Sequence, residues 1–452
     1  MNTLARKLRA TDYFTLGWGT MVGVGWLVIM DDWLLRGGAL GTVLGFVIGG
    51  AVLLPIGWVY GRLVVAMPDA AGEIAYTSAA FPRSISFATG WMMTLAYFIV
   101  CPWEAVAVGR IAGYIVPGLD SIELYRIAGR PVYLPHLLIG LGLTALLTVL
   151  NYRGIRLSAT FQNWTSFGTL ILFVIFVVLG VSRGSPGNFP PLFTHTPLVS
   201  ILLVIQIVPY FMTGFESVGK AAEEANADFR SDGFFRAIWM AIFVGILFYA
   251  SIVAAVAFVA PWHQLVGEKF MTAVAFQQAV GARWIVNIIL AAALLSLFKC
   301  FNGNFVAASR LLFALGRRGM VDSRVGTIHA GHQTPSLAVL CIGIVTGACM
   351  LLGDVILVPV TEVGSVACAI GWSATCAAYL ALSRGGKTGT IAVSTSGRTV
   401  AAFGLMVGIA MVLMKILPMV PGHFSVREWL ALGIWIALGA AAGMAQKWRV
   451  AK

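Results

Sequence analysis

Residues 17–26 read GWGTMVGVGW and residues 208–220 read VPYFMTGFESVGK. Each lies inside an apolar stretch long enough to cross a bilayer, and each carries residues that interrupt an α-helix: Gly17, Gly19, Gly23 and Gly25 in the first, Pro209, Gly214 and Gly219 in the second. In hydrocarbon an unpaired amide or carbonyl is costly, so irregular backbone survives there only where it is buried in protein or lines a cavity. Two such breaks, five apolar stretches apart, are the pattern of a secondary transporter that binds its cargo between inverted repeats. Close helix packing through small residues is the alternative for Gly19 and Gly23. The second break, with a proline and an acid, argues for the site.

Outward from these stretches the chain stays apolar. Of 452 residues, 59% are hydrophobic and 11% charged, well below the quarter usual in a soluble domain. Twelve runs of about bilayer length are expected at 13-35, 39-66, 84-115, 134-150, 155-181, 198-222, 234-259, 283-316, 336-352, 355-382, 397-416 and 425-446. The fold class is therefore an all-α polytopic membrane protein. Arg6, Lys7 and Arg9 precede a first run too long for a signal-peptide core, which reads as a retained helix.

Thirty Lys and Arg against eighteen Asp and Glu give a net charge of +12. Twelve crossings place twenty of these cations on the N-terminal side and seven on the other, so both termini are expected in the cytoplasm and the protein in the inner membrane. Topology accounts for the charge, and no nucleic-acid partner is needed. The six cysteines form no CxxC pair, so neither a disulfide framework nor a metal site is expected. Gly214 to Lys220 spells GxxxxGK, but Ala221 stands where a P-loop needs Ser or Thr, in a membrane segment with no preceding strand. No cofactor is implied; a polytopic membrane enzyme or channel is the remote alternative, and for an enzyme the sequence offers neither an activated nucleophile nor a His/acid cluster with metal spacing.

Several stretches together resemble the amino acid permeases of the amino acid/polyamine/organocation (APC) superfamily. They are GTMVGVGW, PDAAGEIAYTSAAFP (68–82), NYRGIRLSA (151–159), GFESVGKAAEEANADFRSDGFFRAI (214–238), SRLLFALGRRGM (309–320) and HQTPSLA (332–338). The resemblance implies a LeuT-type fold of two inverted five-helix repeats with helices 1 and 6 discontinuous, plus two further helices. On this chain the divisions would be 1-12 for the cytoplasmic N-terminus, 13-181 and 198-382 for the repeats, 397-446 for the last two helices and 447-452 for the C-terminus. It also implies alternating access with an amino acid as cargo, in symport or exchange with protons; an amine or polyamine is the alternative cargo. Membrane lipid is the expected surrounding, and monomer and homodimer both stay open.

By the same resemblance, amides around Thr20, Gly23, Val24 and Gly25 would hold the substrate carboxylate. Carbonyls before them, and those around Tyr210, Phe211, Thr213 and Gly214, would hold the ammonium. Tyr210 would cover the substrate, or else is a packed tyrosine. Glu216, two residues past Gly214, is either a proton-coupling acid or a cap on the freed amides. Lys299 in LLSLFKCFNGNF shares a face with Ser296 and Gly303. It falls where sodium-coupled relatives carry a hydroxyl of their ion site, and its ammonium could replace the ion; snorkelling and an ion pair are the alternatives. Some proton-coupled relatives carry a lysine on helix 5 instead, where this chain has Thr169. Glu104, in CPWEAVAVGR, belongs either to the substrate cavity or to a structural pairing with Arg110 or another helix. Asp31 and Asp32, about 27 Å along the helix from Tyr13, either line an outer vestibule or solvate a helix end. Glu73, Glu223, Glu224 and Arg236 are expected at the cytoplasmic edge as gate or loop salt bridges, each worth little if exposed. That leaves Glu104, Glu216 and Lys299 as the deep ionisable groups.

Overall fold

The computed structural model describes residues 4–384 and 395–450; Lys387 and Lys452, two of the twenty cations counted above, lie outside them. Apart from one antiparallel hairpin, Glu123–Ile127 with Arg130–Tyr133, the described chain is helical. Among the described residues, ten helical stretches are long and apolar enough to cross a membrane. Their bounds follow the hydropathy closely, as in Ile155–Arg183 for the fifth span and Trp284–Arg317 for the eighth. The first and sixth spans are broken where the glycines and proline stand. The first runs Ala10–Met21, Gly25–Val28 and on from Met30; the sixth runs Pro197–Ile205, Val208–Met212 and Ser217–Lys220. Gly38, at φ +70°, separates the end of the first span from the second.

Hydropathy does not reveal three connecting elements. Glu73–Ala80 and Met271–Val280 are too short to cross, and the 3-10 segment Met350–Ile356 links the ninth and tenth spans. The third span divides into Arg83–Phe98 and Val100–Ile115. Pro102 supplies the cause, since it has no N–H to give the carbonyl of Phe98 and its ring crowds that carbonyl.

The two breaks lie against each other. Val22 (φ −98°, ψ 98°) ends the first helical piece in extended backbone, and Thr213 (φ −68°, ψ 144°) does the same in the sixth span. Gly214 has φ +136°, and a Cβ there would stand 2.6 Å from the Met21 amide nitrogen and 2.9 Å from the Gly17 carbonyl. Only glycine lets the sixth break approach the first so closely.

On the face that carries residues 4–9, two ion pairs run deeper than expected. Lys220 Nζ lies 2.7 Å from Glu73 Oε1, and Arg310 Nε lies 2.9 Å from Glu224 Oε1, with all four side chains at most 1% exposed. Glu73 and Glu224 thus form salt bridges as expected, but buried ones, to which the small value of an exposed pair does not apply. It applies to Arg236, which meets Asp232 in the open. Arg317 meets Glu223 at 2.5 Å. Burial raises the Glu223 carboxyl, while bonds from Arg317 and the Ala70 amide outweigh this and leave it below its ordinary value.

The last span, Val426–Val450, packs on the third through Trp91 and Trp435, whose rings stack at 4.6 Å. Each indole N–H donates to the other residue's carbonyl, at 2.9 and 3.1 Å. Substituting Glu224 by Gln strands the Arg310 guanidinium in a buried place, at a cost of about 3–5 kcal/mol. Substituting Arg236 by Gln breaks an exposed pair of about 0–1 kcal/mol. Melting temperatures of the detergent-solubilised variants should therefore separate clearly; equal shifts would refute the assignment of a buried pair.

Candidate functional site

The break in the first span frees carbonyls, and the eighth span meets them. Ser296 Oγ donates to Val22 O at 3.1 Å and Gly23 O at 2.7 Å. Asn304 Nδ2 and Cys300 Sγ donate to Thr20 O at 2.9 and 3.1 Å. The Lys299 ammonium donates to Val22 O and sits 4.4 Å from the centre of the Trp18 ring. Lys299 is 0% exposed and has no ion pair among the described residues. Both bland readings of this lysine, snorkelling and an ion pair, are therefore corrected. Its shared face with Ser296 is real and extends to Cys300 and Asn304. Thr169 is buried, and its hydroxyl stays on its own helix at Thr165 O.

The Thr20, Val22 and Gly23 carbonyls freed at the first break are thus already bonded to protein donors in this conformation. A chain of polar contacts continues behind them into the fifth span. Gln162 Nε2 donates to Thr15 O at 3.2 Å, and Asn302 Nδ2 donates to Gln162 Oε1 at 2.9 Å. Gly19 packs against Gln162 and Ser166, so the close-packing reading applies to Gly19. Gly23 faces the site.

At the sixth break Glu216 receives three donors. Thr213 Oγ1 lies 2.6 Å from Oε1, the Gly214 amide 3.1 Å from Oε2, and Trp372 Nε1 3.1 Å from Oε1. This is the geometry of a carboxylate that caps an unwound stretch, the second of the two roles open to it from the sequence. Trp372, on the tenth span, carried no local signal that could have shown it.

Between the breaks lies one small enclosed cavity of about 10 Å³, on the order of a single water molecule. Thr20, Gly23, Gly25, Glu104, Tyr210, Phe211 and Thr213 all reach it. Val24 and Gly214 stand just behind, one as a donor to Glu104 and one against Met21. Met21, Val100, Trp103 and Cys300 complete the wall and were missed, since apolar residues and a lone cysteine in a span carry no distinguishing pattern. The conformation is closed, because an amino acid needs far more room.

Glu104 is the unusual member of this wall. Its Oε1 lies 3.4 Å from the Val24 amide nitrogen, and a Cβ at position 23 would fall 2.0 Å from that oxygen. Oε2 is buried with no hydrogen-bond partner among the described residues, as is the Tyr210 hydroxyl. The pairing with Arg110 does not form; Arg110 meets Asp354 at 3.2 Å instead.

Asp31 and Asp32 do not reach the cavity. Asp32 pairs with Arg36 at 2.8 Å, Arg36 pairs with Glu362 at 2.9 Å, and Glu362 also meets the buried Lys415. Asp32 therefore belongs to a four-charge network that ties the end of the first span to the tenth and eleventh. Neither reading made from the sequence describes it. Asp31 is partly exposed and has no ion pair among the described residues.

Comparison with known proteins gives this geometry a context. The family described as amino acid permease matches residues 10–439. A branched-chain amino acid permease, BcaP, of Bacillus subtilis (strain 168) is 24% identical over 80% of this chain and 77% of its own length. A methylthioribose transporter of the same organism is 24% identical, over 74% and 72%. A gamma-aminobutyric acid permease of Escherichia coli (strain K12) is 27% identical, over 69% and 65%. The broken spans, the enclosed cavity between them and a match along almost the whole described chain agree, and the chain belongs to the amino acid permease family.

Proposed function

We propose that this permease moves an amino acid across the cytoplasmic membrane by alternating access, as symport or exchange with protons and without sodium. Both termini lie in the cytoplasm on this reading, and residues 13–181 and 198–382 are the two inverted repeats. The observation that carries it is the Lys299 ammonium on the Val22 carbonyl. A fixed positive charge there does what a bound cation would do, joining the first break to the eighth span, so no ion is required. Electrostatic attraction at such a buried carbonyl is strong because little solvent screens it.

Glu104 supplies the coupling step. Its carboxylate stands on the Val24 amide, the kind of donor that a substrate carboxylate needs. Two carboxylates cannot share that place while both are charged. Protonation of Glu104 weakens its hold on the amide and removes the repulsion, so proton and substrate enter together. Glu216, its oxygens engaged by three donors, keeps the sixth break in shape; this reading moves coupling from Glu216 to Glu104, with Lys299 as the fixed charge.

One observation favours a second cargo. Should Glu104 remain in place and charged, its unpartnered Oε2 offers the cavity a counter-charge for an ammonium, which suits an amine without a carboxylate. The relatives are named for branched-chain amino acids, gamma-aminobutyric acid and methylthioribose, and the last of these is not an amino acid.

Substitution Glu104→Gln separates the readings. Under proton-coupled amino acid transport the variant keeps amino acid binding and loses the response of uptake to an imposed pH gradient. Under the amine reading it loses amine binding; unchanged gradient dependence together with unchanged binding of both cargoes would reject both roles. Replacing Lys299 by Ala removes a charged hydrogen bond of about 1.5–3 kcal/mol, and uptake into proteoliposomes should fall about ten- to a hundredfold. Exchange of sodium for choline should leave the wild-type rate intact, and a strong sodium requirement would overturn the role given to Lys299.

A further inference from the structure

Most described cations on the face that carries residues 4–9 are engaged. Lys220 and the arginines on this face from Arg230 to Arg324 pair with acids. Arg6, Arg83 and Arg398 donate to backbone carbonyls, and Arg62 lies over Trp58. Leaving aside Arg384, Lys447 and Arg449, whose side chains are not described, four remain with no ion pair among the described residues: Lys7, Arg9, Arg153 and Arg156. These four are neighbours. Lys7, Arg9 and Arg156 line one groove of about 410 Å³, and Lys7, Arg153 and Arg156 line the adjoining one of about 420 Å³. Thr160 is shared by both, and Asn226 and His332 border one each. The single acid in the groove wall, Asp12, is already held by the Arg9 amide at 2.7 Å and Asn163 Nδ2 at 2.6 Å.

The grooves do not end in water alone. Leu157 lines the second one and begins an exposed apolar stripe on the fifth span. Trp164, Ile171 and Val178 continue it at seven-residue intervals, each at least 60% exposed. A cluster of unpaired cations at one end and a bilayer-facing apolar stripe at the other match an anionic head with acyl chains behind it. Basic pockets beside membrane helices hold phosphate headgroups in this way, and an exposed tryptophan at the headgroup level is a common anchor.

We propose that Lys7, Arg9, Arg153 and Arg156 form a binding site for an anionic phospholipid of the inner leaflet, and that the bound lipid holds this face closed. It rests on the reading above that the face is cytoplasmic. The link to closure is the N-terminal segment itself. Lys7 N–H donates to Glu224 O at 2.8 Å, and the Asn226 amide donates to Leu8 O at 2.9 Å. Glu224 in turn carries the buried pair with Arg310. A headgroup that bridges Lys7 and Arg9 to Arg153 and Arg156 ties the N-terminal segment and the loop after the sixth span to the corner between the fourth and fifth.

The test uses purified full-length protein and the triple variant Lys7→Gln/Arg153→Gln/Arg156→Gln. Thermal unfolding is followed with short-chain phosphatidylglycerol, with short-chain phosphatidylcholine and with inorganic phosphate. Uptake is compared in vesicles of phosphatidylcholine with and without phosphatidylglycerol. The wild type should be stabilised, and its uptake slowed, by phosphatidylglycerol only, since a face held closed opens less readily, and each cation removed should weaken the apparent lipid affinity about fivefold. In pure phosphatidylcholine the variant should match the wild type. A charge-conserving variant, Arg153→Lys/Arg156→Lys, should keep the response and shows that altered packing is not the cause. Equal phosphatidylglycerol responses in wild type and triple variant would overturn the site, as would no response in the wild type. The same stabilisation by inorganic phosphate would replace the lipid with a free anion. Unfolding needs no transported cargo, so failure of the proton or substrate assignment leaves this readout intact. Labelling of the N-terminus from one side of sealed vesicles tests the orientation separately.

Discussion

The carbonyls of Thr20, Val22 and Gly23 have lost their helical partners in a place where water cannot easily replace them. The surrounding architecture answers that deficit. Ser296, Lys299, Cys300 and Asn304 come from one face of the eighth span, and each donates to the break. Glu216 performs the converse task at the sixth span, accepting from an amide freed there. Unwound backbone in a membrane carries its own requirement for polar side chains, so the same residues that make a binding site affordable also bring its walls together.

This arrangement has an electrostatic asymmetry. The eighth span brings a positive group to carbonyl oxygens, while the third span brings a negative group to an amide. Each charge meets the backbone dipole that suits it, and the two lie on opposite sides of the same short break. Opening the cavity therefore cannot be a matter of apolar packing alone. Whatever enters must offer charges of its own, or find these two already compensated by a proton.

Much of this was legible from the residues, and the reason is local. Gly23, Gly25, Pro209 and Gly214 interrupt runs that are otherwise uniformly apolar, so the breaks stand out against a quiet background. Lys299 and Glu104 stand out likewise, as charges with no neighbours of their kind. Partners were harder to read. Glu104 meets Val24 rather than Arg110, because the kink at Pro102 and the absence of a side chain at Gly23 decide where its carboxylate arrives. Glu73, Glu224, Lys220 and Arg310 look like loop charges in sequence, since a count of cations on two sides contains no depth. Glu362 and Lys415 sit in different apolar stretches, and only the packing of the tenth span on the eleventh unites them. Short helices such as Glu73–Ala80 leave no mark in hydropathy at all.

The paired tryptophans at the edge of the bundle concern assembly more than transport. Trp91 and Trp435 are 344 residues apart, and each closes the other's hydrogen bond. Neither indole can be satisfied in this way until the final helix has entered the membrane. During synthesis the third span must wait, with a polar edge turned toward lipid, for the last tenth of the chain. A truncated or stalled product would keep that edge open. The pair thus records an order of assembly, because Trp91 meets its partner only once the helix that carries Trp435 is in place.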